Sequence, residues 1–333
     1  MGSVLWVTFP FFALVACGHL AASRRWLPLE AIGGLNGFVL FFALPCMLYR
    51  FGSTTPIAQL LDASVAGVYL VCALLMVAFA VVTTLGPGLR WNDAAFGALV
   101  AAFPNTGFMG VPLLAALLGP RSVGPVIVLI VVDMIVTSSL CIALSRLDGA
   151  QGGARGAWDA ARKALRGVAS NPMPWAIAGG ALASALSFRW PAPVEKTIWL
   201  LADAASPVAL FTIGAVLARA QLAQAAPVLP GWRARAQGFL SGFGAPVLGV
   251  AAMKLLLHPL LVLALGAAAI RLGLPLDRFS LTVMVLVAAL PSASNVSLLA
   301  ERFQADTGRI ARIILVSTAV SFFTFSAAVS WMT

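Results

Sequence analysis

The chain has 333 residues, of which 61% are hydrophobic and 10% are charged, and its mean hydropathy is +0.99. Soluble domains are about 45–50% apolar and about 25% charged, so this composition argues against a soluble protein and indicates a polytopic membrane protein. The net charge of +10 does not require a nucleic-acid partner, because most basic residues lie in loops on one side of the predicted membrane spans.

Ten apolar stretches are candidate membrane spans, given that a transmembrane helix needs about 20 apolar residues. In chain order they cover residues 4–22, 31–50, 65–85, 94–118, 125–145, 173–188, 197–218, 245–270, 279–300 and 313–331. No cleavage signal follows the first stretch, so we interpret it as a retained span. The sixth stretch is short and rich in alanine and glycine, which fits a tilted helix, a packed helix or no span at all.

Charged loops predict the orientation. Loops that follow odd-numbered spans carry 14 of the 21 lysine and arginine residues, loops and ends on the other side carry six, and Lys254 lies within the eighth span. Because basic residues mark the cytoplasmic side, both termini are expected outside the cytoplasm. The long polar stretch 146–171 is then a cytoplasmic linker, either a helix on the membrane surface or a solvated basic segment.

This linker divides the chain into two units of five spans, residues 1–145 and 172–333. The sequence "VAAFPN" at 100–105 recurs as "VAALPS" at 287–292, which places Pro104 and Pro291 187 residues apart. Pro45 and Pro207, in the second and seventh spans, are 162 residues apart. Since five is odd, the second unit enters the membrane from the opposite side. The sequence therefore predicts an inverted repeat, which is typical of secondary transporters.

The fourth and ninth spans each contain residues that interrupt a helix. A proline inside a helix costs about 3 kcal/mol or more, and the backbone groups that it frees cannot bond to water inside a bilayer. We therefore predict two broken helices that cross near the midplane with positive half-helix ends, rather than a pair of structural kinks. The residues that break them are Pro104, Gly107, Gly110 and Pro291, and the candidate substrate-binding residues are Asn105, Thr106, Ser292, Ser294 and Asn295.

No cofactor or metal is expected. The four cysteines, which are Cys17, Cys46, Cys72 and Cys141, lie in apolar spans without C-x-x-C spacing and are interpreted as small buried side chains. Neither His19 nor His258 has a cysteine or acid nearby at metal-ligand spacing.

Five segments together resemble the auxin efflux carrier family, which includes plant auxin exporters and bacterial permeases described as malonate or malate transporters. In chain order the segments are "LNGFVLFFALPCMLYRFGSTTP", "FPNTGFMGVPLL", "LADAASPVALFTIGAVLA", "MKLLLHPLLVLALG" and "AALPSASNVSLLAERF". The resemblance implies an all-α, ten-span inverted repeat of the sodium/proton-antiporter and bile-acid-transporter type. It further implies elevator-like organic-anion transport, homodimers, and an asparagine and two prolines at the crossing, here Asn105, Pro104 and Pro291.

Departures from the plant members favour a bacterial permease in the inner membrane. Their long cytoplasmic loop is absent, their acidic and basic pair has no match within 65–85, and Asp133 replaces an uncharged amide. Auxin is therefore not the expected substrate.

The leading hypothesis is a secondary transporter of small carboxylates, with malonate-like compounds included. A dicarboxylate needs a second cation, for which Arg50, Lys254 and His258 are the candidates, although Lys254 can instead extend to the membrane surface. An alternative is a sodium-coupled carrier of the bile-acid type, with oxygen ligands at the crossing. A membrane-embedded enzyme is disfavoured because no catalytic motif is evident.

Two acids are candidates for ion coupling. Asp133 lies near the middle of the fifth span, where an ionisable residue is a functional candidate by default, and a protonated structural role is the alternative. Asp203 lies nearer the outer end of its span, where water keeps it ionised.

The charge asymmetry predicts that the C-terminus lies outside the cytoplasm. A reporter that fluoresces only in the cytoplasm, fused after Thr333, should leave cells dark, whereas the same reporter inserted in the 146–171 linker should fluoresce. Bright cells from the C-terminal fusion would refute the orientation.

Overall fold

The computed structural model describes residues 2–56, 62–86, 89–147, 162, 172–224 and 244–333. Within these residues the regular structure is helical apart from one isolated antiparallel bridge between Pro104 and Ser292. The predicted linker 146–171 lies outside the described residues except for 146, 147 and 162.

Twelve helices are described in these ranges, with short π-helical turns counted as part of the helix that contains them. They are α1 (Gly2–Ser23), α2 (Ala31–Thr54), α3 (Ala63–Thr84), α4 (Trp91–Ala102), α5 (Thr106–Leu118), α6 (Pro120–Leu144), α7 (Pro172–Ala185), α8 (Ala192–Gln224), α9 (Ala245–Arg271), α10 (Arg278–Ala288), α11 (Val296–Arg302) and α12 (Thr307–Met332).

Six of the described helices, which are α2, α3, α6, α8, α9 and α12, are long and apolar enough to cross a membrane. Each of the ten predicted stretches is helical over most of its length, which agrees with an all-α polytopic membrane protein. The pairing of these helices into two inverted repeats stays a prediction. One boundary differs notably, because α12 begins at Thr307 and its first two turns contain Arg309 and Arg312, which the sequence had placed in a loop.

The described helices form two packing sets. In the first set, α8 packs along α1 and against α2, and α2 also packs against α7. In the second set, α3 packs against α4, α6 and α9, while α9 also contacts α10 and α12. Contacts between the sets are made mainly by α1 and α8 with α5 and α12. The first interrupted helix, α4–α5, therefore borders the first set through α5, and the second, α10–α11, packs against helices of the second set.

Close approach of α1 and α8 depends on two glycines. A Cβ added at Gly18 would collide with the backbone carbonyl of Phe211, and one at Gly214 would collide with the carbonyl of Val15. In a bilayer, small residues let helix backbones approach because dispersion contacts, not water exclusion, hold helices together. These reciprocal contacts bring α1 and α8 together along one continuous seam.

We expect Gly214→Ala to destabilise the protein by about 1–3 kcal/mol, because the added methyl group overpacks a backbone contact. The measurement is the thermal midpoint of the detergent-purified protein. Gly67→Ala is the matched control, since Gly67 lies on an exposed face of α3 with no atom within 4 Å of an added Cβ. Equal midpoints for Gly214→Ala and the wild type would show that the α1–α8 seam tolerates a side chain.

Candidate functional site

The two helix interruptions lie against each other. Residues 103–105 separate α4 from α5, and residues 289–295 separate α10 from α11. The backbone N–H of Asn105 donates to the Pro291 carbonyl at 2.8 Å, and the N–H of Ala293 donates to the Phe103 carbonyl at 3.0 Å. We call these paired segments the crossing, and they include the bridge between Pro104 and Ser292.

Side chains replace backbone donors that the crossing removes. Pro104 has no N–H, so the Val100 carbonyl one turn earlier loses its helical donor. The Ser292 hydroxyl donates to that carbonyl at 2.7 Å. The N–H of Ser292 itself donates to Ser317 Oγ at 3.2 Å. Each half of the chain therefore satisfies polar groups freed in the other half or in a neighbouring helix, as an apolar surrounding requires.

Lys254 serves the second interruption in the same way. In a continuous helix the Ala288 carbonyl would accept from the N–H of residue 292, which is used elsewhere. Lys254 Nζ donates to this carbonyl instead. The ammonium group thus lies at the C-terminal end of α10, where the helix dipole favours a positive charge.

A cleft beside the crossing separates the two packing sets. Helices α2 and α7 contribute Leu44, Leu48 and Met173 to its wall. Asn105 and Asn295 line its opposite side. Asn295 also borders a neighbouring cleft that includes Ser294.

The two asparagine side chains are the polar groups best placed to meet a ligand in the cleft. Asn105 is 4% exposed, and its amide makes no hydrogen bond to a described residue. The Oδ1 atom of Asn295 is buried without a partner. Since an amide can turn by 180° to exchange its oxygen and nitrogen, either group can present a donor to an anion.

Other sequence-predicted site residues have structural contacts at the crossing. The hydroxyl of Thr106 donates to the Pro104 carbonyl at 3.3 Å, and that of Ser292 is bound to Val100. Gly107 and Gly110 lie in the π-helical first turn of α5, after the helix has resumed. A Cβ at Gly110 would lie 2.8 Å from the Leu290 side chain, so this glycine lets the two interrupted segments pack together.

Asp133 lies in a second polar site, inside the second packing set. Its side chain is fully buried, and both carboxyl oxygens accept hydrogen bonds. Tyr69 Oη of α3 donates at 2.9 Å, and Thr137 Oγ1 donates at 3.0 Å. Asp133 opens a π-helical turn of α6, a local distortion that is frequent at functional sites.

Lys254 and His258 complete this site from α9. Both are fully buried, and Lys254 Nζ lies 3.3 Å from His258 Nδ1. The imidazole ring of His258 lies 6.1 Å from the ring of Tyr69. Lys254 also occupies a π-helical turn. Lys254 does not extend to the membrane surface, which was the alternative considered from the sequence, because its amine is bound within the protein.

Sequence reasoning missed Tyr69 and His258 as members of this site. The available signal was the spacing of Lys254 and His258, which are four residues apart and therefore on one face of an apolar helix. Asp203, the other candidate for coupling, belongs to α8 in the first set. Its side chain is 70% exposed and pairs with Arg50 at 2.7 Å.

Comparison with known proteins identifies membrane transport proteins as relatives of this chain. A family model described as "Membrane transport protein" matches residues 4–329. A Rhizobium meliloti protein named "Putative malonate transporter" is 29% identical over 96% of this chain and 93% of its own length. "Uncharacterized transporter YfdV" of Escherichia coli (strain K12) is 27% identical over 90% of this chain and 88% of its own length. "Auxin efflux carrier component 7" of Arabidopsis thaliana is 28% identical over 45% of this chain and 24% of its own length.

The hydrogen bond that the Ser292 hydroxyl donates at the crossing should contribute measurably to the thermal stability of the protein. Ser292→Ala leaves the buried Val100 carbonyl without its donor, which costs about 1–3 kcal/mol. We expect Pro104→Ala, which restores a backbone N–H, to recover part of the loss in the double variant. Thermal midpoints in detergent measure both effects.

The matched control is Ser326→Ala, whose hydroxyl donates only to the Phe322 carbonyl one turn earlier in α12. If Ser292→Ala and Ser326→Ala melt at the same temperature, the Ser292 hydroxyl does not hold the crossing together.

Proposed function

The chain belongs to the auxin efflux carrier family of membrane transport proteins, and from that premise we propose that it is a secondary transporter of small organic anions. The relatives that match over most of the chain are named as transporters. These names argue against the alternative of a membrane-embedded enzyme.

The proposed architecture is the ten-span inverted repeat of residues 1–145 and 172–333 joined by a cytoplasmic linker at 146–171. The protein would lie in a bacterial inner membrane with both termini in the periplasm, and a homodimer is the expected assembly. In the proposed elevator mechanism, the second packing set moves along the first. The observation that supports it is the cleft beside the crossing, whose walls come from both sets.

The observation that carries the substrate proposal is the pair of asparagine amides at this cleft. Asn105 lies directly before α5, where the helix dipole supplies a partial positive charge. An amide can bind a carboxylate without the desolvation cost of a buried charge. We propose that Asn105, Ser294 and Asn295 contact the substrate, while Thr106 and Ser292 hold the interrupted backbone.

The relative's name makes malonate the first compound to test. A dicarboxylate would need a cation for its second carboxylate. Lys254 and His258 contact each other inside the second set, and Arg50 pairs with Asp203. None of the three lines the cleft beside the crossing, so its described lining supplies no cation for a second carboxylate.

Uptake into proteoliposomes tests the function. We expect one or more compounds from a panel of labelled mono- and dicarboxylates, malonate included, to accumulate. Parallel runs with a sodium gradient, a proton gradient or a membrane potential alone decide between proton coupling and the sodium-coupled carrier of the bile-acid type. Absence of uptake for every carboxylate, in protein that retains its thermal transition, would refute the proposed substrate class.

Asn105→Ala should weaken transport. Loss of a hydrogen bond to a charged group costs about 1.5–3 kcal/mol, which is roughly tenfold or more in affinity. The control is Asn92→Ala, because the Asn92 amide donates to the Phe303 carbonyl away from the cleft. If Asn105→Ala keeps wild-type KM and maximal rate for the transported carboxylate, Asn105 does not contact the substrate.

A further inference from the structure

Four ionisable side chains from three helices of the second set meet away from the substrate cleft. Tyr69 belongs to α3, Asp133 to α6, and Lys254 and His258 to α9, and all four are fully buried. We call them the charge cluster. Taking an isolated charge out of water is costly, so a buried acid and a buried amine in one site need a physical reason.

Within the charge cluster the hydrogen bonds divide into two groups. Asp133 accepts from Tyr69 and Thr137, while Lys254 donates to Ala288 and contacts His258. Tyr69 connects the two groups, since its hydroxyl donates to Asp133 and its ring lies 6.1 Å from the His258 ring. The direct ion pairs found among the described residues, Arg50–Asp203 and Arg90–Asp93, do not include Asp133 or Lys254.

His258 has an unused polar atom in this site. When Lys254 is an ammonium, its proton is directed to Nδ1 of His258, so a neutral imidazole carries its own proton on Nε2. This Nε2 is buried and has no hydrogen-bond partner. The cluster therefore has a buried N–H group that can donate a hydrogen bond when the others rearrange.

In the part of the chain that the structure describes, the remaining titratable side chains near the cluster are two thiols. Cys72 lies one turn after Tyr69 on α3, and Cys141 lies two turns after Asp133 on α6. Both thiols are buried, and a thiol is mainly uncharged at neutral pH. The contacting segment of α10 contributes the Ala288 carbonyl. Asp133 is thus the one acid of the cluster in the described residues.

We propose that the charge cluster is a proton-exchange site that acts on the crossing through Lys254. When Asp133 binds a proton, the neutral acid no longer attracts the ammonium group, and Lys254 stays on the Ala288 carbonyl at the end of α10. When that proton leaves, the carboxylate attracts Lys254, and Ala288 loses its donor next to Pro291. The Tyr69 hydroxyl can accept from the protonated acid or donate to the carboxylate.

In the structure Lys254 is bound to Ala288 and not to Asp133, which is the position that the proposal assigns to Lys254 when Asp133 is neutral. One of the two hydroxyls that contact Asp133 would then accept a hydrogen bond from the protonated acid. Proton occupancy and the geometry of the crossing are therefore linked by one side chain. The consequence for coupled transport rests on the proposed function, but proton exchange by the cluster does not.

The experiment measures proton binding without any substrate. Proteoliposomes on a solid-supported membrane receive an acid pH jump, and the displaced charge is recorded. The wild type should give a transient signal, Asp133→Asn should lose most of it, and Lys254→Met should shift the pH at which it is half-maximal. Glu30→Gln, which neutralises an exposed acid directly before α2, is the control and should resemble the wild type.

Single variants leave an unbalanced buried group and can fail to fold. The double variant Asp133→Asn/Lys254→Met removes both charges, so we expect it to melt above Lys254→Met alone and to give no signal. A wild-type signal retained in Asp133→Asn or in the double variant would overturn the proposal. If carboxylates are taken up but the pH jump gives no signal, the proton-exchange proposal is refuted and the transport proposal is not. If the pH jump gives a signal but no carboxylate is taken up, only the carboxylate function is refuted.

Discussion

Hydrogen bonding of the interrupted backbone is the constraint on which the rest of this structure depends. Inside a bilayer, a carbonyl or N–H freed by a helix break has no water partner. The crossing meets this requirement because each segment supplies donors to the other: Asn105 and Ala293 through their backbones and Ser292 through its hydroxyl. Neither interruption is satisfied by its own segment alone. The two halves of the chain must therefore be assembled together before either break is stable.

This mutual dependence explains how the cleft residues stay available. Backbone donors and the Ser292 hydroxyl hold the crossing, so the amides of Asn105 and Asn295 are left at the wall of the cleft. Across the cleft, the first packing set presents mainly apolar side chains such as Leu44 and Met173. An apolar wall opposite a polar crossing is compatible with the proposed sliding between the sets.

Much of the architecture could be predicted from the sequence because its signals are local. Hydropathy predicts where helices lie, and Pro104 and Pro291 predict where two of them stop, since the missing N–H is a property of the residue itself. Partners could not be predicted this way. Tyr69, Asp133 and Lys254 are far apart in the chain, and only the packing of α3, α6 and α9 brings them together. The same holds for Ser292, whose hydroxyl looked available for substrate until its contact with Val100 was known.

The donor to the Ala288 carbonyl is an ammonium group. This choice indicates that the charge cluster does more than satisfy the interrupted backbone. Ser292 shows that a neutral hydroxyl is enough to satisfy a carbonyl freed by proline. A neutral amide on α9 would serve Ala288 at a smaller desolvation cost than an ammonium group does. An ammonium near a single buried acid differs from an amide in one respect: its preferred position depends on whether that acid is charged. This dependence gives the crossing a response to protons that a neutral donor cannot provide, and it places the response next to the backbone break that borders the cleft.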